Sequence, residues 1–190
     1  MNKCIFLDRD GVLVKEKGDV YQIEDIEVID GVKETLFELK NKGYLLIVIS
    51  NQPVIARGKA SESEVDKLNE YINSELGGVI DKFYICPHHP EMFDDVPDFA
   101  RKYRIKCDCR KPLPGMILKA ALEFDIDLDK SFMIGDMITD VICGKNAGCK
   151  TIMVKSGDSD KVIKSHVRID INTKADYVVD GIREVLEIIG

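Results

Sequence analysis

The sequence predicts an α/β protein, a doubly wound, Rossmann-like parallel sheet with helices on both faces. Two observations carry this reading. Short apolar runs alternate with amphipathic stretches along the chain, the pattern of a parallel sheet wound with helices. Asp8 and Ser50 directly follow apolar runs, and Asp136 follows a third across Gly135. In such sheets ligands bind beyond the carboxyl ends of the strands.

Taken in order, strands are expected at Cys4–Leu7, Tyr44–Ile49, Val79–Ile85, Phe132–Ile134, Thr151–Val154 and Tyr177–Val179. Helices are expected at Val32–Lys42, Ser63–Leu76, Pro114–Phe124, Asp140–Ala147 and Gly181–Ile189. Asp30-Gly31 opens the first helix and Gly43 closes it as a C-cap. Ser61 and Glu64 have the spacing of a capping box for the second. Pro87 to Lys106, with three prolines and many charges, fits neither period and is expected as an irregular loop. The 190 residues suit one domain spanning 1–190. Asp10–Ser50 is filled by a loop and one helix, and Ser50–Lys111 by one helix, one strand and the cysteine loop, so no further domain is expected between them and the site should be open.

With 45% hydrophobic and 32% charged residues the composition is that of an ordinary soluble domain. No apolar run is long enough to cross a bilayer. The chain enters its first strand at once, so no secretory leader is expected and the location is expected to be cytoplasmic. A net charge of −7 argues against nucleic acid or an anionic membrane as partner. A phosphorylated small molecule remains compatible if cations are local, and Arg57, Arg110 and Lys111 are the candidates. No dimer patch stands out, and a monomer is expected.

The chemistry concentrates at Asp8-Arg9-Asp10-Gly11, behind the run Cys4–Leu7. On extended backbone, residues i and i+2 point to one side, so two carboxylates stand together. They repel, and one pKa rises unless a cation is shared. A solvated turn or a calcium loop uses similar residues. What favours catalysis is the rest: Ser50-Asn51-Gln52 behind a second run, Arg110-Lys111-Pro112 before a helix, and Gly135-Asp136 behind a third with Asp140 one helical turn on. The cysteines divide in two. Cys4, Cys143 and Cys149 lie singly beside apolar residues and read as buried thiols. Cys86, Cys107 and Cys109 flank the irregular loop together with His88 and His89. Three thiolates and one imidazole form a structural Zn²⁺ set, closing a zinc loop over about 86–109 whose ends the metal would tie where apolar packing cannot.

In order and placement these motifs resemble the haloacid dehalogenase (HAD) superfamily of phosphatases, over Ile5 to about Val154. The C-P-H-H-P and C-D-C-R-K-P segments resemble its capless branch, whose members act on heptose 1,7-bisphosphate or histidinol phosphate. The resemblance implies a HAD-type sheet and an Mg²⁺-dependent phosphatase. Asp8 would attack phosphorus, Asp10 would act as acid and then base, Ser50 would hydrogen-bond the phosphoryl group and Lys111 would neutralise it. Mg²⁺ would be held by Asp8, the Asp10 carbonyl and Asp136, and Zn²⁺ by Cys86, His88, Cys107 and Cys109; the resemblance, not geometry, selects His88 over His89. Asp140 would support the metal or cap its helix.

Substrate contacts are expected from Glu16, Lys17, Gly18 and Asp19, from Asn51, Gln52 and Pro53, and from Arg110 and Met137. Arg110 is the candidate for a remote phosphate, since a guanidinium matches phosphate in bidentate fashion. Met137 stands where the branch carries lysine, Pro53-Val54 where it carries Ser-Gly, and Glu16–Asp19 where it carries Asp-His-Gly-Tyr. The function this implies is removal of the C7 phosphate from D-glycero-D-manno-heptose 1,7-bisphosphate, feeding activated heptose to surface glycans. Histidinol phosphate is the nearest alternative, and a non-catalytic, zinc-stabilised interaction module is the alternative of a different class.

Overall fold

The structure, a computed structural model, describes residues 1–90, 96–155 and 169–190. Residues 91–95 of the expected irregular loop fall outside these. The described residues form a six-stranded sheet in the order β3-β2-β1-β4-β5-β6. The strands are β1 (Cys4–Leu7), β2 (Leu45–Asn51), β3 (Lys82–Cys86), β4 (Phe132–Gly135), β5 (Lys150–Val154) and β6 (Tyr177–Val179). Every pairing is parallel.

The helices are α1 (Val32–Asn41), α2 (Glu62–Glu75), α3 (Asp98–Arg101), α4 (Gly115–Glu123), α5 (Ile138–Ala147) and α6 (Val185–Ile188). They cover both faces, and strand alternation decides which residues each face takes. Ile5, Leu7, Leu46 and Val48 pack with Val32, Leu36 and Leu39 of α1, Leu68 and Ile72 of α2, and Val185 of α6. Cys4, Phe6, Ile47 and Ile49 turn the other way, onto Met116, Ile117 and Ala120 of α4 and Cys143 and Ala147 of α5. Ser61 and Glu64 cap α2 reciprocally, as their spacing predicts.

Several boundaries differ from the sequence reading, β3 starting at Lys82 and not at Val79 among them, and four of the differences have a local reason. β2 runs on through Ser50 and Asn51, because β3 offers partners as far as Cys86. α5 starts at Ile138, placing Asp140 inside its first turn, where its Oδ2 accepts from the Met137 amide at 3.0 Å. The expected C-terminal helix is a 3₁₀ turn at Ile182–Glu184 followed by the single turn α6. Within the proline-rich segment, Asp98–Arg101 forms one helical turn that buries Ala100.

β1 and β4 are neighbours although they are first and fourth in the chain, so the winding reverses between them. A crevice opens where strand order reverses, beyond the strand ends. Asp8 and Asp136 follow the two strands that border it.

Candidate active site

Strand ends place the carboxylates. The Asp8 amide donates to the Ile134 carbonyl at 3.0 Å, extending the β1–β4 ladder by one residue. Gly11 then turns the chain at φ +83°, and a Cβ there would lie 2.3 Å from Asp136 Oδ2. Gly11 is therefore required twice, by its left-handed conformation and by the carboxylate packed against it. Oxygens of Asp8, Asp136 and Asp140 lie within 4.8 Å of one another.

One lysine reaches this cluster. Lys111 Nζ lies 2.8 Å from Asp8 Oδ2 and 2.7 Å from Asp140 Oδ1, with only 3% of the residue exposed. Its backbone is gripped from β2. The Asn51 side-chain amide donates to the Lys111 carbonyl at 3.2 Å, and Asn51 Oδ1 accepts from the Lys111 amide at 3.0 Å. Burial raises the Asp8 pKa to about 7, against the pull of Lys111. Burial, then Asp140 and Asp8, raise Asp136 to about 8. Burial opposes the charge on Lys111, but Asp140 and Asp8 outweigh it and raise its pKa. Three carboxylates facing one lysine leave excess negative charge in a low-dielectric site. An oxygen-liking divalent cation is the group that such a donor set fits.

Asp10 is held separately. Arg9 Nε donates to both of its oxygens at 3.1 Å, and Arg9 Nη2 lies 3.0 Å from Oδ2. The Gln52 amide nitrogen donates to Asp10 Oδ2 at 2.8 Å and to Ser50 Oγ at 2.8 Å. Asp8, Asp10, Ser50 and Lys111 open together onto a cavity of about 150 Å³. Sites that engulf a whole ligand run to about 300–1,000 Å³, so this cavity takes in the phosphorylated end of a molecule. Glu16, Gly18, Asp19, Asn51, Gln52, Pro53 and Met137 also line it, and Val20, Val54 and Thr139 join them. Asp136 is buried behind the lining.

Several of the expected substrate contacts have other partners. Lys17 pairs with Glu27 at 3.2 Å and is absent from the lining; Glu27 also pairs with Lys15, and that acidic partner draws the side chain outward. Asn51 and Gln52 were expected to face substrate hydroxyls, yet their amides hold Lys111, Asp10 and Ser50. Asp19 is paired with Arg57 and with Lys59. Arg110 lies buried behind the lining, where Nη1 donates to the His88 carbonyl at 3.1 Å. Sequence reasoning missed Arg9. The one available signal was a guanidinium between two acids directly after a buried run.

The second cluster joins the ends of the proline-rich segment. Cys86 Sγ lies 3.2 Å from Cys109 Sγ and 3.6 Å from Cys107 Sγ. His88 Nδ1 lies 3.3 Å from Cys109 Sγ and 3.7 Å from Cys86 Sγ. Tetrahedral thiolates at zinc–sulfur bond lengths stand about 3.8 Å apart, and the thiols are free, not disulfide-bonded. Hydrogen bonding with Cys86 lowers the Cys109 thiol to about 5 against the effect of burial, with Cys107 and His88 helping. A ready thiolate in a Cys₃His cage is compatible with zinc. His89 is buried and is not one of the four residues of the cage.

Carboxylates at the switch point, a hydroxyl near the end of β2 and a buried lysine are the parts of a haloacid-dehalogenase-type phosphatase, and the comparisons agree. The HAD-hydrolase-like family description matches residues 108–185. A D-glycero-beta-D-manno-heptose-1,7-bisphosphate 7-phosphatase of Pasteurella multocida is 40% identical over 100% of this chain and 97% of its own. The enzyme of that name from Haemophilus influenzae is 39% identical over the same shares. A crystal structure of D,D-heptose 1,7-bisphosphate phosphatase from B. bronchiseptica, complexed with magnesium and phosphate, superposes with a TM-score of 0.79. It is 26% identical and covers 98% of this chain and 97% of that one. The chain belongs to this heptose-bisphosphate phosphatase family of HAD-like hydrolases, and is a phosphoric monoester hydrolase.

Proposed function

We propose that the chain removes the C7 phosphate of D-glycero-β-D-manno-heptose 1,7-bisphosphate, in the supply of activated heptose for surface glycans. The single observation that carries this is full-length likeness to relatives of that activity, joined to a cavity in which Asp8, Asp10, Ser50 and Lys111 meet. Phosphate monoesters hydrolyse so slowly unaided that charge handling dominates the catalysis. Asp8 attacks phosphorus, forming an aspartyl-phosphate as the bond to the sugar oxygen breaks. Asp10 gives its proton to that oxygen, then takes one from the water that cleaves the intermediate. Ser50 and Lys111 stabilise the phosphoryl oxygens. Asp8, Asp136 and the Asp10 carbonyl would hold Mg²⁺, which supplies positive charge against the phosphoryl group and keeps Asp8 ionised.

Cys86, His88, Cys107 and Cys109 would hold a structural Zn²⁺. Lys111 follows Cys109 by two residues, so the cage steadies its backbone from one side while Asn51 does so from the other. Arg110, buried beside the cage, is the group we assign to the second phosphate, which it would reach by exchanging the His88 carbonyl for it. Glu16, Gly18, Pro53 and Met137 form the sugar-facing rim. A cytoplasmic monomer of one domain suits the free thiols, and no helix among the described residues is long and apolar enough to cross a membrane.

The test is phosphate release with Mg²⁺ from both anomers of heptose 1,7-bisphosphate and from histidinol phosphate. The β-bisphosphate is expected to give the highest kcat/KM, by about tenfold or more. Preference for histidinol phosphate would overturn the substrate assignment and point to Asp19 as an amine contact.

A further inference from the structure

Arg9 is wholly buried, and the chemistry above does not use it. Its guanidinium joins four parts of the molecule. Nη1 donates to Asn69 Oδ1 of α2 at 3.2 Å, Nη2 donates to the Val20 carbonyl and to Gln52 Oε1, each at 2.9 Å, and Nε faces Asp10. The bond to Gln52 Oε1 settles which way that amide faces. A flipped amide would set its own N–H groups against the guanidinium. Gln52 must therefore present Nε2 to Asp10 and Ser50, where it lies 2.8 Å from each acceptor. A hydroxyl has one hydrogen. Ser50 accepts from Gln52, so that hydrogen is left for another partner, and Ser50 lines the phosphoryl-sized cavity.

We propose that Arg9 and Gln52 are positioning residues. Arg9 locks the Gln52 amide, and Gln52 in turn holds the Asp10 carboxyl and directs the Ser50 hydrogen into the cavity. Neither touches the reacting atoms. As the Asp8–phosphorus bond forms and the phosphorus–oxygen bond breaks, the Asp10 proton passes to the leaving oxygen and Ser50 donates to the phosphoryl group. Both groups must be aimed before that moment, because reorganisation during the step adds to the barrier. The Val20 carbonyl links the same guanidinium to the loop that carries Gly18 and Asp19, so the rim and the acid share one anchor. The inference rests on the phosphoryl-transfer reading, but not on any particular sugar.

The decisive variant is Gln52→Glu in the full-length enzyme. It keeps shape and volume but turns the Nε2 donor into a carboxylate that repels Asp10 and takes the Ser50 hydrogen. kcat/KM is read for a sugar phosphate and for an aryl phosphate whose leaving group needs no proton. The sugar phosphate is expected to lose about 10²-fold or more. The aryl phosphate is expected to lose about tenfold, the part owed to Ser50 alone. A merely structural role for Gln52 moves both substrates equally, so equal losses would overturn the proposal, as would no loss on either. Wild-type turnover of the aryl phosphate establishes the reaction independently of the clamp. Arg9→Lys keeps the charge but loses the fork. It is expected to show the same leaving-group dependence, and thermal unfolding of both variants reports whether the fold survives.

Discussion

Among the described residues the chain gathers two sets of potential metal ligands, and they are built in opposite ways. The carboxylates of Asp8, Asp136 and Asp140 ride on the ends of central strands and the first turn of α5, where regular structure places them. Cys86 ends the edge strand β3, while His88, Cys107 and Cys109 lie in irregular chain, the two cysteines packed against the hydrophobic cluster between the sheet and α4. In the first set the fold comes first and the ion relieves charge. In the second, the ion would supply cohesion that the local chain lacks. Hard oxygens on a rigid frame suit exchange of substrate around a cation; a closed thiolate cage suits permanence.

Asp8→Asn separates the two most sharply. It removes the nucleophile, while leaving the sheet and the thiol cage intact, so phosphate release should fall by about 10⁴-fold or more with unchanged zinc content and an unfolding midpoint that does not fall. Turnover within tenfold of wild type would remove Asp8 as nucleophile. Cys107→Ser is the opposite cut. Zinc measured by elemental analysis should fall from about one per chain to near zero, Tm should drop by several degrees, and KM should rise more than kcat falls. Full zinc occupancy with an unchanged KM would show that the cage neither binds zinc nor supports the rim.

The smallest effect is a pH dependence confined to the carboxylate set. Folding raises Asp8 to about 7 and Asp136 to about 8 from an ordinary 3.8, chiefly by burial. A raised folded pKa contributes stability below the unfolded value and loses it as pH rises through the folded value. Metal-free protein should therefore lose stability between about pH 4 and pH 8. Mg²⁺ binds the ionised carboxylates of the folded state and offsets that loss. The gap in Tm between Mg²⁺-loaded and metal-free protein, with zinc held constant, should widen across this window. A gap that stays flat with pH would mean that these carboxylates are not where the cation acts.

How far each set was legible in the sequence follows from how local its causes are. Asp8 and Asp136 could be placed because an apolar run, then an acid, then a turn signal is read within a few residues. The cage was legible because its ligands come in two tight pairs. Arg9 was not, since its meaning lies in Asn69, sixty residues on, in Gln52 and in a loop carbonyl at Val20. Asn51 and Gln52 line the cavity as expected, and their amides also hold Lys111, Asp10 and Ser50, contacts that lie across the sheet and cannot be read from neighbouring residues. Lys17 turns away for a similar reason, the pull of Glu27. α5 starts early because Asp140 caps it, a backbone contact that residue spacing alone does not specify.

The absent side chain at Gly11 has a consequence for what descendants of this enzyme can become. The Asp136 carboxylate occupies the space that any larger residue would need, so position 11, beside the seam between β1 and β4, is closed to larger residues. The cavity beside it admits only the end of a substrate, leaving the remainder to be met by the segment from Glu16 to Val20 and by Pro53, Val54 and Met137. Heritable change is thus channelled outward: a new sugar can be accommodated by rewriting the rim, while the machinery for breaking the phosphate bond is passed on unaltered.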